Sequence, residues 1–233
     1  MELQEVNLSI NDNSILHSIN IHWREGEAIA ILGANGAGKS SLLNIMSSLI
    51  RPDNGKVIFP SNMSIKQWKK CLGIVFSQTF LYESLTAFEN LEFYQKLYGQ
   101  KDTNKIDRIL KQVELFHVKN QLVNTFSKGM KQRLSIGRAF IHDPKYLLLD
   151  EPFDGLDFNS KNILNNLLEE MKSNKVGYIL VSHNSKHAWE VCDRAILIHK
   201  GRIVDEESCS EQLYDSFLER YQLLVKGNSH DFY

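Results

Sequence analysis

Residues 33–41 read Gly-Ala-Asn-Gly-Ala-Gly-Lys-Ser-Ser, a glycine-rich stretch closed by a lysine and two hydroxyls. An apolar run, Ala28-Ile29-Ala30-Ile31-Leu32, comes before it, and a run of helical period opens after it at Leu42-Leu43. The stretch therefore stands where a strand turns into a helix. Successive backbone N–H groups and a helix N-terminus there make an anion site suited to nucleotide phosphates. Gly33, Gly36 and Gly38 let the backbone approach the phosphates or take positive φ, with Ala34, Asn35, Ala37 and Ser41 completing the loop. Lys39 has the reach for the β- and γ-phosphates, and the Ser40 hydroxyl can complete a Mg²⁺ shell.

A second block, Tyr146-Leu147-Leu148-Leu149-Asp150-Glu151, is an apolar run ending in two acids. It has the pattern of a fully buried parallel strand with carboxylates at its C-terminal edge, where ligands of open α/β sheets bind. Asp150 would hold Mg²⁺ as the acidic part of the phosphate site. Glu151 is the candidate to orient or deprotonate an attacking water, a role typically worth about 10²–10⁴ in rate.

Between these blocks lies Thr125-Phe126-Ser127-Lys128-Gly129-Met130-Lys131-Gln132-Arg133-Leu134, opening a stretch of helical period through Ile136 and Ala139. It resembles the signature motif of the ABC ATPase family. Gln78, after Gly73-Ile74-Val75-Phe76, matches the family's glutamine loop. Asp154-Gly155-Leu156-Asp157 matches its D-loop, and His183, after Ile179-Leu180-Val181-Ser182, its switch histidine. The motifs stand in the family's order along nearly the whole chain.

The resemblance implies an α/β fold: a P-loop NTPase core (ABC ATPase) with an N-terminal antiparallel β subdomain and an inserted α-helical subdomain. One domain would span 1–233, with the core in 1–78 and 141–205, the helical signature subdomain in 79–140, and a C-terminal helix and tail in 206–233. It implies ATP and Mg²⁺ as cofactors, with Ser40, Gln78 and Asp150 at the metal and Glu151 and His183 as catalytic residues. Ser127, Lys128, Gly129 and Met130 would meet the γ-phosphate held by an opposing subunit, and Asp157 would couple the two sites. One chain then carries half of each composite site and works as a dimer, homo- or heteromeric, closed by ATP and reopened by hydrolysis.

Some residues depart from the commonest pattern. Lys128-Gly129-Met130 replaces Gly-Gly-Gln, in a form that resembles bacterial exporters of the ABC-2 type. Lys128 either adds charge near the phosphate or faces solvent. The D-loop has Asp154-Gly155 for Ser-Ala, and Phe153 stands for a frequent threonine. The family's adenine-stacking aromatic would fall near Ile10, where Asn7-Leu8-Ser9-Ile10-Asn11 offers none, and Trp23 reads as sheet packing. An aliphatic platform forgoes stacking of about 1–3 kcal/mol per base.

The elements that must position these residues follow from the rest of the chain. Its 233 residues suffice for one α/β core. A formal net charge of −1 gives no basic excess to drive nucleic-acid binding. Cys71, Cys192 and Cys209 fall in no ligand spacing and suit reduced, buried thiols. No signal-peptide core opens the chain, and no apolar run approaches the roughly 20 residues that span a bilayer. Short strands are expected over 1–32, with turns at Asn11-Asp12-Asn13 and Glu25-Gly26-Glu27. The helix from Ser40 should stop before a turn cluster at Arg51-Pro52-Asp53-Asn54-Gly55, with further strands to Phe76. Helical period then runs to about 140, with Leu91, Tyr94, Leu97 and Tyr98 on one face. Core strands return at 146–149, 178–182 and 195–198, and Gly201-Arg202 reads as a hairpin turn.

The stretch from Thr79 to Leu91 would face a helix of a membrane permease subunit. Phe80, Tyr82 and Phe88 there either fill a partner pocket or pack within the subdomain. With Tyr94, Leu97, Tyr98 and Gly99, this region also resembles the ABC-2 and haem-exporter branches. Residues 210–225 give a helical stripe of Leu213, Tyr214, Phe217, Leu218, Tyr221, Leu224 and Val225, for packing on the core or a partner contact; 227–233 should fray. The expected function is the ATP-hydrolysing subunit of an ABC transporter, an exporter, cytoplasmic and held on the inner face of the cell membrane by its permease. The alternative is a soluble non-transport ABC ATPase of iron–sulfur assembly, translation or DNA maintenance.

Overall fold

The computed structural model describes residues 1–226; residues 227–233 and the side chains of Val225 and Lys226 lie outside the described part, so the expected fraying does too. Two strands open the chain, β1 (Glu2–Ile10) and β2 (Asn13–His22), joined at Asn11 and Asp12 with φ of 49° and 63°. Positive φ at both central positions is the hairpin geometry that Asn and Asp tolerate. With β4 (Asn54–Ile58) they form a three-stranded antiparallel sheet in the order β2-β1-β4.

The second sheet has six strands, in the order β5-β6-β7-β3-β8-β9. Here β3 is Ala28–Leu32, β5 Leu72–Val75, β6 Tyr146–Asp150, β7 Gly177–Val181, β8 Arg194–His199 and β9 Arg202–Ser208. All pair in parallel except β9, which returns along β8 after a tight turn at Lys200-Gly201. Strands β3, β6 and β7 are buried at every position, as a sheet covered on both faces requires. Period-2 alternation divides them. Ile29, Ile31, Leu148, Ile179 and Val181 face the antiparallel sheet and α1 (Lys39–Met46). Ala30, Leu32, Leu147, Leu149 and Leu180 face a helical layer. That layer comprises α3 (Ala87–Leu97), α4 (Thr103–Gln112), α5 (Lys128–Phe140), α6 (Phe158–Ser173), α7 (Ser185–Val191) and α8 (Glu211–Lys226).

Local departures from the sequence expectation have local causes. A short helix, α2 (Ile65–Cys71), interrupts the strands expected before Phe76; Ser64 caps it reciprocally with Gln67, and Trp68 fixes it in the core. Asn54-Gly55 begins β4 rather than lying in a turn; Gly55 has φ of 92°, and a Cβ there would stand 2.5 Å from Glu5 O. Leu97 leaves the expected apolar face of α3 and is 66% exposed. Trp23 packs edge-on against Trp68 and Tyr146 between the sheets, as its sheet-packing assignment requires.

Candidate nucleotide site

Strands β3, β6 and β7 are parallel neighbours, so their C-terminal ends share one sheet edge. Three functional segments leave that edge: the glycine loop after β3, Asp150-Glu151 at the end of β6, and Ser182-His183 after β7. Sheet order therefore brings the glycine loop beside two segments that follow it by more than a hundred residues.

The glycine loop is built for close approach. Gly33 and Gly38 have φ of 155° and 101°; a Cβ would stand 2.2 Å from Ile198 O at the first and 2.7 Å from Leu16 Cδ2 at the second. At Gly36, φ 79°, a Cβ would meet nothing within 4 Å, so its backbone faces an open cradle. A cleft of about 350 Å³ lies there, lined by Asn35, Gly36, Gly38, Lys39, Ser40, Ser41, Asp150 and Glu151. Lys39 Nζ donates to the carbonyls of Gly33 and Ala34, each at 2.9 Å. Burial pulls the Lys39 ammonium below the usual lysine range, against the opposing charges of Glu151 and Asp150.

Ser40 Oγ donates to Asp150 Oδ1 at 3.3 Å. Burial raises the Asp150 carboxyl above its ordinary range, opposed by the Ser40 bond and by Lys39. A hydroxyl and a poorly solvated carboxylate side by side are the hard oxygen donors that Mg²⁺ takes, usually with waters and phosphate oxygens. Gln78 stands exposed three residues beyond β5 and outside the residues lining this cleft.

Glu151 takes a different partner from Asp150. Its φ of 49° is left-handed, uncommon for a residue with a Cβ, and its N–H donates to Val181 O at 3.1 Å. Glu151 Oε2 accepts from His183 Nδ1 at 2.9 Å and from the His183 backbone N–H at 3.3 Å. A carboxylate and an imidazole thus meet at the rim of the glycine-loop cleft.

Ser127, Lys128, Gly129 and Met130 lie elsewhere. Ser127 caps α5, its hydroxyl accepting from Met130 N–H at 3.2 Å. None of the four lines the phosphate cleft of its own chain. Their neighbours are the D-loop segment: a Cβ on Gly129 would lie 3.4 Å from Ser160 Oγ and 3.8 Å from Asp157 Oδ2, and one on Gly155 would meet Lys128 Nζ. The Lys128 amine therefore lies over Gly155. Asp157 caps α6, accepting from Ser160 N–H at 2.7 Å, and buried Gln132 reaches Pro152 O at 3.3 Å.

Two contributors escape a sequence reading. Ile15, on β2, lines the cleft beside Gly38, whereas Ile10 lies exposed at the hairpin end outside it. The only sequence signal for Ile15 is its place in a strand. Tyr221, near the end of the chain, places its hydroxyl 3.5 Å from His183 O, and the amphipathic stripe of α8 marks that face without naming its target.

Known proteins share these features. The family model described as ABC transporter matches residues 16–154. The ABC transporter ATP-binding protein NatA of Bacillus subtilis is 34% identical over 86% of this chain and 84% of its own length. The lantibiotic transport ATP-binding protein SrtF of Streptococcus pyogenes is 30% identical over 93% of this chain and 95% of its own. The dimeric ATP-binding cassette MJ0796, in a post-hydrolysis state bound to ADP and Pi, superposes with a TM-score of 0.82 at 26% identity, covering 90% of this chain and 98% of that one. A phosphate loop, an acidic strand end and a glutamate–histidine pair on one sheet edge agree with those matches, and the chain belongs to the ABC transporter family, as an ATP-binding subunit that hydrolyses ATP.

Proposed function

We propose that two such cassettes close on two ATP molecules and drive an exporter through membrane permease subunits. One observation carries the pairing: Ser127 and Gly129 open a helix whose N-terminus lies outside the lining of the chain's own glycine-loop cleft, so its N–H groups and helix dipole would serve a γ-phosphate across an interface. Phe158, next to Asp157 and 80% exposed, gives that face an apolar contact to bury.

Within each composite site we assign the following roles. Lys39 and the loop amides hold the β- and γ-phosphates. Ser40 and Asp150 would hold Mg²⁺, with Gln78 the third ligand proposed for it; the ion would supply neutralisation of phosphate charge. Glu151 takes the proton of the attacking water. His183 fixes the Glu151 carboxylate and contacts the γ-phosphate, and Asp157 links the signature helix to the opposite site. Ile15 offers an aliphatic wall where the family uses an aromatic near Ile10.

The permease contact is proposed for the outer face of the helical layer. Phe80 and Tyr82 are 53% and 46% exposed there, and Tyr82 packs edge-on against Phe93 at 4.8 Å. Phe88 packs into the subdomain instead. Export is supported by the Ser-Lys-Gly-Met signature form and by the transport named for the lantibiotic relative. No described helix is long and apolar enough to cross a membrane, so attachment to the inner face of the cell membrane is assigned to the permease.

Affinity purification from native membranes tests this reading. A polytopic protein recovered only after detergent extraction is expected. Recovery of soluble partners alone would reassign the ATPase to a non-transport task, and a recovered permease that accumulates its substrate inside would reverse the direction.

A further inference from the structure

His183 has a 62% exposed side chain, so packing around the imidazole does little to fix it. Its place depends on Glu151 and on the backbone that carries it. That backbone leads directly into α7, and α7 is gripped by α8. Trp189 Nε1 donates to Ser210 O at 3.0 Å. The Trp189 ring meets Tyr214 at 5.6 Å and fully buried Phe217 at 4.7 Å. On its other side α8 is tied to β9: Arg220 Nε donates to Asp205 Oδ2 at 2.5 Å and Arg220 Nη2 to Glu207 Oε2 at 3.4 Å. Tyr221 lies four residues beyond Phe217, one turn further on the same stripe. It packs against the helical-layer core and its hydroxyl donates to His183 O at 3.5 Å. Burial, then the charge of Glu151, raise the Tyr221 phenol above its ordinary range.

We propose that Tyr221 is a positioning residue for ATP hydrolysis: α8, anchored on Trp189 and β9, uses it to fix the His183 backbone and keep Nδ1 on the Glu151 carboxylate. The inference rests on the catalytic reading of Glu151 and His183. Because the bond is at the long limit of its class, the seated ring carries more of the effect than the hydroxyl. A helix beyond the family-model match thereby sets the turnover of the site.

The test compares ATP hydrolysis, with Mg²⁺, by the full chain and its Tyr221→Ala, Tyr221→Phe, Leu223→Ser and His183→Ala variants, well below every melting temperature. Leu223, 75% exposed on α8, controls for helix composition. Expected are a fall in kcat of about tenfold for Tyr221→Ala and about twofold for Tyr221→Phe, with KM for ATP within twofold and Leu223→Ser unchanged. Hydrogen exchange should quicken in Tyr221→Ala for a peptide covering 182–188 and stay constant over 33–41. Wild-type kcat in Tyr221→Ala beside an inactive His183→Ala would overturn this inference alone. Wild-type kcat in His183→Ala would overturn both it and the reading beneath it. Faster exchange over both peptides, with KM raised, would show general loosening and also overturn it.

Discussion

Glu151 illustrates how backbone and chemistry meet in one residue. Directly after a buried strand, extended geometry would send its side chain back toward the sheet. Its left-handed φ turns the carboxylate to His183 while Asp150 stays with Ser40. Two adjacent acids thus reach different partners, which the pairing Asp-Glu after an apolar run allowed one to expect. Glu151→Gln keeps the shape and removes the proposed base, so kcat should fall by about 10²–10⁴ with ATP still bound; rapid-quench turnover beside equilibrium binding measures both. His142 offers a second residue-scale check, away from the site. It is 7% exposed, stacks on Tyr98 with ring centroids 3.8 Å apart, and meets Leu72 O through Nε2 at 3.1 Å, while Nδ1 has no partner. Burial pulls its pKa down to about 4, against about 6.5 when unfolded. The unfolded chain therefore binds the proton first. The stability tied to a neutral His142 is complete above about pH 6.5 and is lost as pH falls toward about 4, a change of order 3 kcal/mol. Urea unfolding of wild type and His142→Gln across pH 4–7 should show that slope only in the wild type.

Elements explain which residues were legible. Strands β3, β6, β7 and β8 announce themselves as apolar runs because both faces are buried, and the segments that follow β3, β6 and β7 carry the motifs. Element α2 was missed because seven residues give too little period to separate helix from strand; its readable mark was the Ser64/Gln67 capping box. Asn54-Gly55 carries turn composition inside an edge strand, since the backbone of β1 approaches too closely for a side chain. Leu97 is apolar at a position that the packing of α3 leaves outward. Ile15 and Tyr221 reach the site by tertiary contact alone, which no local pattern encodes. The aromatic wedge of Trp23, Trp68 and Tyr146 makes the element scale testable. Trp68 is fully buried and donates from Nε1 to Met46 O at 2.8 Å. Trp68→Ala should cost about 3–5 kcal/mol of unfolding free energy, read by denaturant titration. A loss below about 1 kcal/mol would mean that α2 is not part of the core.

At the scale of the whole molecule, the chain places its phosphate loop and its signature helix on separate faces. The sheet edge gathers Lys39, Ser40, Asp150 and the Glu151–His183 pair, and the segment from Pro152 to Asp157, touched by Lys128 and Gln132, joins that edge to the start of α6. Sequence motifs marked both segments, and the fold adds that residues 127–130 do not line the cleft of their own chain, on which the proposed pairing rests. The most direct measurement is the mass of Glu151→Gln in solution, with and without ATP and Mg²⁺, by light scattering. The account predicts a shift from 26.9 kDa to twice that mass with two nucleotides trapped, reversed by Ser127→Arg. A protein that binds ATP yet stays at the mass of one chain would contradict the composite site.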